Sequence, residues 1–256
     1  MTTRTAVILC GGKGSRLGSL AKKIPKTLVN VQNHAILWFI ITALKKNKFN
    51  HFILPIGYKG EQIKKFIKKN KKFRNDNFDL ISTGVNTSIS RRIYKIKNYI
   101  KSNNFLLLNG DAIFYSNLNK IFNRHLKKKF DMSFICSEIE ADFGTIGVRN
   151  GKIVNFIRGT KFNSIKLKNQ KIFSGYVYTG MAIMNKKILN EKFATKINFE
   201  KEFYPKIIKK FNCNMFHLDG TWHAMDNLKD INTVDKINEN PAMYKKITNI
   251  IKRLKK

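Results

Sequence analysis

Near the N-terminus an apolar run, Ala6-Val7-Ile8-Leu9, leads into Cys10-Gly11-Gly12-Lys13-Gly14-Ser15-Arg16. Glycines let a backbone pass close to a bulky anion and aim its N–H groups at phosphate oxygens. Arg16 can then fork onto a phosphate, and Lys26, preceded by Pro25, can act as a point charge. This chemistry points to a nucleoside-triphosphate site held by Leu9, Cys10, Gly11, Gly12, Lys13, Gly14 and Ser15, with Arg16 and Lys26 as its cations. A dinucleotide site or a P-loop also uses glycines, but the Lys-Ser/Thr ending of a P-loop is absent here.

Two carboxylates are spaced to serve such a site. Asp111 follows the buried run Phe105-Leu106-Leu107-Leu108 through Asn109-Gly110. Carboxylates at the carboxyl ends of parallel strands face the crevice where ligands bind, and Mg2+ takes carboxylate oxygens alongside substrate phosphates. Asp226 ends the segment Gly220-Thr221-Trp222-His223-Ala224-Met225. Simpler uses stay open for both: a turn residue for Asp111, and an N-cap for Asp226 at a helix beginning near Leu228. As a pair they suit one Mg2+. The five histidines are scattered without metal-ligand spacing, and only His223 lies near either carboxylate in the sequence.

The elements that must position these groups alternate between strand and helix, which predicts an α/β fold with a parallel sheet and helices on both faces. Ala35 to Leu44 is apolar nearly all round, as a buried helix is. Strands are expected at Phe52 to Ile56, Asp79 to Thr83, Phe105 to Leu108, Met132 to Ser137, Tyr178 to Met184 and Asn214 to Leu218. Gly144 to Arg149 and Lys152 to Arg158 alternate around Asn150-Gly151, a strong hairpin signal. Helices are expected near Leu118 to Leu126 and over Glu200 to Lys210, Leu228 to Asn238 and Met243 to Lys256, with Gly159 to Phe173 a polar loop.

Length and composition, 256 residues with 43% apolar and only 4 prolines, suit one continuous domain over 1–256 with a basic C-terminal helix at about 243–256. No run approaches a membrane span, and Met1-Thr2-Thr3-Arg4 lacks an apolar signal region, so a cytoplasmic protein is expected. Cys10, Cys136 and Cys213 are odd in number and far apart, which favours reduced thiols over a disulfide framework. The net charge of +34 would ordinarily prompt a nucleic-acid hypothesis. The lysines, however, are spread along the chain with many Asn and Ile, the pattern of compositional drift. The expected partners are therefore small anions, with no nucleic acid and no stable membrane insertion. The stripe Ile247, Ile250, Ile251 and Leu254 packs on its own domain, on a second copy in a homo-oligomer, or on a membrane surface.

Taken together, the glycine loop with Ile24-Pro25-Lys26 resembles the nucleotide-binding signature of the sugar-1-phosphate nucleotidyltransferases. Asn109-Gly110-Asp111 resembles that family's metal-binding Gly-Asp. Gly220 to Asp226, and the loop from Thr83-Gly84 through Ser88 to Arg92-Ile93, are similar to segments of the glucose-1-phosphate cytidylyltransferases. The matches run from residue 5 to about residue 235. The resemblance implies a single-domain, Rossmann-like α/β fold with a mostly parallel mixed sheet flanked by helices. It implies Mg2+ held by Asp111 and Asp226, nucleotide contacts from Thr83, Gly84, Ser88 and Gly110, and sugar-side contacts from Thr179, Gly180 and Trp222. The implied reaction transfers a nucleotidyl group, CMP from CTP, to a sugar 1-phosphate or similar phosphorylated acceptor for surface polysaccharide synthesis. Arg16, Lys26, Asp111 and Asp226 are the implied catalytic set. The chain departs from the family in two substrate-facing places. Phe156-Ile157-Arg158-Gly159-Thr160-Lys161 replaces a Glu-Lys-Pro, leaving Arg158 or Lys161 to meet the acceptor phosphate, and Ser90-Arg91 replaces two glycines. UTP, GTP or dTTP, and polyol, choline or amino-acid phosphates, therefore stay open, as does a non-catalytic nucleotide- or RNA-binding relative.

Overall fold

The computed structural model describes residues 3–140, 145–157, 160–162, 164–166, 172–191 and 198–256. Strand β1 (Thr5–Leu9) is buried on both faces because its run carries no charge. It is flanked by β2 (His51–Ile56) and β4 (Asn104–Asn109), with β3 (Asn77–Ser82) beyond β2. On the far side of β4 lie β9 (Val177–Asn185), β6 (Met132–Ser137) and β10 (Cys213–His217). The sheet order is β10-β6-β9-β4-β1-β2-β3. The pairs β1–β2, β1–β4, β2–β3 and β6–β10 are parallel, while β9 runs antiparallel to both neighbours. The fold is thus an α/β, mostly parallel mixed sheet flanked by helices.

The period-2 geometry of strands sorts side chains into two cores. Ala6, Ile8, Leu106, Leu108, Met181 and Ile183 face one, and Val7, Ile53, Phe105, Leu107, Ala182 and Met184 face the other. Helix α1 (Ile36–Lys46) fills the first core with Ile36, Leu37, Phe39, Ile40, Ile41 and Leu44. Helix α7 (Pro241–Lys255) packs there too, burying Ile247, Ile250, Ile251 and Leu254. That stripe therefore covers the chain's own core and is not a free membrane-binding face. Helices α3 (Ile89–Ile96) and α5 (Tyr204–Lys210) cover the other side through Ile93, Ile96 and Ile207. Among the described residues no helix is long and apolar enough to cross a membrane.

Several local expectations are corrected. The stretch expected as a polar loop contains Lys161–Phe162, paired with Ile139–Glu140, and Ser164–Lys166, paired with Ile172–Ser174. Lysines between the apolar residues conceal that alternation in the sequence. The helix expected over Glu200 to Lys210 splits into a π-type turn, Phe199–Phe203, and α5. Asn198 caps the turn by accepting from the backbone N–H groups of Glu200 and Lys201, and Pro205, near the start of α5, donates no N–H. Gly220–Ala224 is a true strand, β11, paired antiparallel with β5 (Ala112–Ser116). The expected hairpin forms from β7 (Thr145–Arg149) and β8 (Lys152–Ile157), with Asn150 and Gly151 both at positive φ. Its expected ends, Gly144 and Arg158, lie outside the described residues.

Helix α4 (Leu118–Lys128) buries His125 and leaves Leu126 exposed. The imidazole meets the Ser133 Oγ at 2.8 Å and the Asn104 Oδ1 at 3.1 Å, tying α4 to β6 and β4. Burial pulls its pKa down from 6.5 to about 4, against an opposing pull from Asp131. The folded pKa lies below the unfolded one, so this contribution is complete above about pH 6.5 and is lost as pH falls toward 4. The loss is expected to be on the order of 3 kcal/mol. Denaturant titrations from pH 7 to pH 4 should show it, and the His125→Gln variant should show a flatter profile over the same window.

Candidate active site

The chain runs from β1 outward through β2 and β3, then returns to β4 on the other side of β1. Open parallel sheets bind ligands at such a reversal, outside the carboxyl ends of the strands. A cleft of about 720 Å³ lies there. Leu9, Cys10, Gly11, Gly12, Lys13, Gly14, Ser15 and Arg16 line one wall, Val85 to Ile89 and Arg92 another, and Lys26, Thr27, Asn109, Gly110, Asp111 and Asp226 its end.

Asp111 and Asp226 meet because β5 starts directly after Asp111 and β11 ends just before Asp226. The pairing sets Ala112 opposite Ala224, and the Met225 N–H donates to the Asp111 carbonyl at 2.8 Å. Asp226 is not the helix cap. Asn227 caps α6 (Leu228–Asp235), with Asp230 closing a capping box and accepting from the Asp226 N–H at 2.7 Å. Both carboxylates converge on one ammonium. The Lys26 Nζ donates to the Asp111 Oδ2 at 2.8 Å and to the Asp226 Oδ1 at 2.9 Å. The Arg16 Nη1 lies 3.7 Å from the same Asp226 oxygen. Gly14, at φ +63°, has no Cβ to crowd the Lys26 stem, and Gly110 leaves room for the Leu9 carbonyl and the Thr27 methyl.

Arg92 supports the second wall. It is 4% exposed, yet among the described residues it has no carboxylate partner. Its Nη1 donates to the Thr83 Oγ1 at 2.5 Å, and its Nη2 to the carbonyls of Gly11 at 2.8 Å and Val85 at 3.1 Å. Burial lowers its pKa from the usual arginine value. Thr83 in turn donates to the Ile56 carbonyl, and Thr87 and Lys95 donate to the Thr83 carbonyl. Thr83 and Gly84 thus stand behind the cleft wall rather than on it. Ser88 lines the cleft and also caps α3, accepting from the Arg91 N–H at 3.3 Å.

Other residues expected to bind substrate lie elsewhere. Lys161 is exposed and ion-paired with Glu138 at 2.5 Å. The Thr179 hydroxyl is buried and donates to the Ile135 carbonyl. Gly180, at φ +77°, sits in a register shift of β9 where a Cβ would come within 2.7 Å of the Asn109 amide. It shapes the strand behind Asn109. Trp222 pairs across the ribbon with Phe114 and packs on the core. Burial, followed by the charge of Asp111, pushes the Cys10 thiol far up, so it stays protonated and is no nucleophile.

The profile described as Nucleotidyl transferase matches residues 5–240. The chain belongs to that family. This nucleotidyl transferase is 29% identical over 263 aligned positions to a protein of Bacillus subtilis (strain 168) named probable glucose-1-phosphate cytidylyltransferase, an alignment covering 94% of this chain and 98% of that one. It is 31% identical to a D-glycero-alpha-D-manno-heptose 1-phosphate guanylyltransferase of Campylobacter jejuni, covering 79% and 87%. The crystal structure of HddC from Yersinia pseudotuberculosis superposes with a TM-score of 0.67 at 22% identity over 89% of this chain and 96% of that one, a likeness of fold.

The donor set fits a hard divalent cation only with help from substrate. Two carboxylate oxygens already share one cation, the Lys26 ammonium. Among the described residues, no group of three or more His, Cys, Asp or Glu is placed to hold a metal. Phosphate oxygens and water would complete the shell, which is how Mg2+ is usually bound.

Arg92, Asn109 and Thr27 line the cleft without having been singled out from the sequence. Arg92 did carry a signal: it falls on the helix face that carries Ile93 and Ile96, where an arginine must find buried acceptors. The glycine loop offers a direct check. A Cβ on Gly11 would lie 2.1 Å from the Arg92 Nη1, whereas one on Gly12 meets nothing within 4 Å. The Gly11→Ala variant should therefore melt several degrees lower, about 1 to 3 kcal/mol, and Gly12→Ala within about a degree of the parent. Equal melting temperatures would show that Arg92 does not hold the loop.

Proposed function

We propose that this chain transfers a nucleotidyl group, cytidylyl in the first instance, from a nucleoside triphosphate to a sugar 1-phosphate, releasing pyrophosphate and supplying an activated sugar for surface polysaccharide. The observation that carries the reading is the meeting of Lys26, Asp111 and Asp226 at the end of a glycine-walled cleft. The names of the Bacillus subtilis and Campylobacter jejuni relatives support a sugar 1-phosphate acceptor. The second of them keeps GTP as the other nucleotide to test.

In this reading the N–H groups of the Gly11–Ser15 loop and the Arg16 guanidinium hold the triphosphate. Asp111 and Asp226 would hold Mg2+, which supplies charge stabilisation at the α-phosphate when bound. An oxygen of the acceptor phosphate attacks the α-phosphorus in line. The new P–O bond forms as the bond to the bridging oxygen of the β-phosphate breaks, and pyrophosphate leaves with that electron pair. The attacking phosphate is already ionised, so no general base is required. Lys26 neutralises charge that builds on the phosphates, and fixed geometry supplies much of the remaining rate. A unit charge pair at ~4 Å is worth roughly 4 kcal/mol at an intermediate dielectric, so Lys26→Ala should cost ~10²- to 10³-fold in kcat/KM.

Pyrophosphate release should be measured with Mg2+, each of CTP, GTP, UTP and dTTP, and a panel of sugar 1-phosphates and other phosphorylated acceptors. One pair should turn over, and Asp111→Asn and Asp226→Asn should each abolish that turnover with unchanged melting. Near-normal activity in either variant removes that residue from the site. No turnover with any pair, together with tight, steeply salt-dependent RNA binding, would replace the enzyme with a nucleic-acid binder.

A further inference from the structure

Both carboxylates assigned to the metal are already engaged by one tethered cation. The Lys26 Nζ sits 2.8 Å from one and 2.9 Å from the other, on a side chain only 14% exposed. The stem is held: it packs where a Cβ on Gly14 would lie 3.1 Å from the Lys26 Cβ, and the backbone is set by Pro25 and the turn Lys26–Leu28. Arg16 is a poor substitute, since it lies 3.7 Å from Asp226 and its side chain is 76% exposed. No third His, Cys, Asp or Glu among the described residues adds to the pair as a metal ligand.

We propose that Lys26 has a second role in the reaction read above: it holds the metal's place in the ligand-free enzyme, so that a divalent cation enters with the triphosphate and not ahead of it. A free Mg2+ ion gives up its water reluctantly and would meet only two carboxylates here. It would also have to displace an ammonium whose local concentration the chain itself keeps high. A metal–triphosphate complex changes both terms. It brings its own phosphate oxygens to complete the metal's shell, and those phosphates give the displaced ammonium a new anionic partner. Lys26 thus reaches the phosphates only as it leaves the carboxylates. The carboxylates are never left facing each other without a cation, and the lysine is delivered to the reacting groups by the event that loads the metal. This inference rests on the metal assignment of the proposed function, so its test must separate the two.

The test is Mn2+ binding without nucleotide, followed by calorimetry and by the spin-resonance signal of free Mn2+. It compares the parent, Asp226→Asn, Lys26→Met, Lys26→Gln, and each lysine variant combined with Asp226→Asn. The two lysine variants, one apolar and one polar, guard against a single misfolded protein, and melting curves check both. Lys26→Met and Lys26→Gln should bind Mn2+ at least about tenfold more tightly than the parent, and adding Asp226→Asn should remove the gain. Adding CTP or GTP to the parent should raise its Mn2+ affinity more than it raises that of Lys26→Met. Equal Mn2+ affinity in parent and lysine variants, lost in both on Asp226→Asn, would overturn the exchange while keeping the metal at the carboxylates. Binding indifferent to Asp226→Asn in every background would overturn the metal assignment itself and the exchange with it.

Discussion

The cleft is organised by a three-membered ion cluster in which the Lys26 ammonium bridges Asp111 and Asp226. Two like charges at ~4 Å repel by several kcal/mol in a partly desolvated site, so the carboxylates can be held together only with a cation between them. Everything nearby serves that meeting. The β5–β11 ribbon sets the register, the Met225-to-Asp111 hydrogen bond locks it, and the capping box of α6 fixes the Asp226 backbone while leaving its carboxylate to Lys26. Because Asn227 and Asp230 cap the helix, Asp226 is released from the structural task that its position suggests.

The opposite wall depends on a different device. Arg92 is a buried cation that donates to neutral oxygens: a threonine hydroxyl and two carbonyls. Its planar fork joins the glycine loop after β1 to the Thr83 loop after β3, two segments otherwise separated by β2. A lysine, a compact point donor, lacks the planar fork that spans these three oxygens. Gly11 and Gly57 both make room for the guanidinium, since a Cβ on either would fall within 2.6 Å of the Arg92 Nη1. The glycine loop is therefore shaped on one side for an arginine, which by itself excludes a side chain at Gly11, and under the proposed function on the other side for phosphate.

How much of this was legible in the sequence follows from how local each cause is. The buried strands and the glycine loop are read from short windows; the placements of Asp111 and Asp226 follow from strand ends, and Arg16 and Lys26 sit in the turns Ser15–Leu17 and Lys26–Leu28 that follow the glycines. Lys161, Thr179 and Trp222 were harder, because their side chains are claimed by partners far away in the chain: Glu138, the Ile135 carbonyl, and the core under β5 and β11. Thr83 lies one layer behind the cleft wall, since its hydroxyl turns inward to Arg92 and Ile56. Gly180 has a backbone cause, a register shift against Asn109, that no pattern of apolar residues encodes. The two short ribbons around Lys161 and Ser164 were hidden because lysine fills positions where strands usually alternate.

The high positive charge also takes on a specific meaning at the cleft. Lysines such as Lys65, Lys68 and Lys69 lie on a solvated helix face, where salt screens them within roughly 8 Å at physiological ionic strength. Inside the cleft the balance is set by few groups: Lys13, Arg16, Lys26 and Arg92 against Asp111 and Asp226. One of those cations is already committed to the carboxylates and another to backbone and hydroxyl oxygens. Among the described residues, Lys13 and Arg16 are the cleft cations least occupied by protein partners. The diffuse field gathers polyanions generally, whereas under the proposed function these two residues, next to N–H groups of a glycine turn, would supply fixed contacts for a phosphate chain. The Arg16 guanidinium and the Lys26 ammonium meet at one oxygen of Asp226, 3.7 Å and 2.9 Å away, so under the proposed function a single phosphate group would face both.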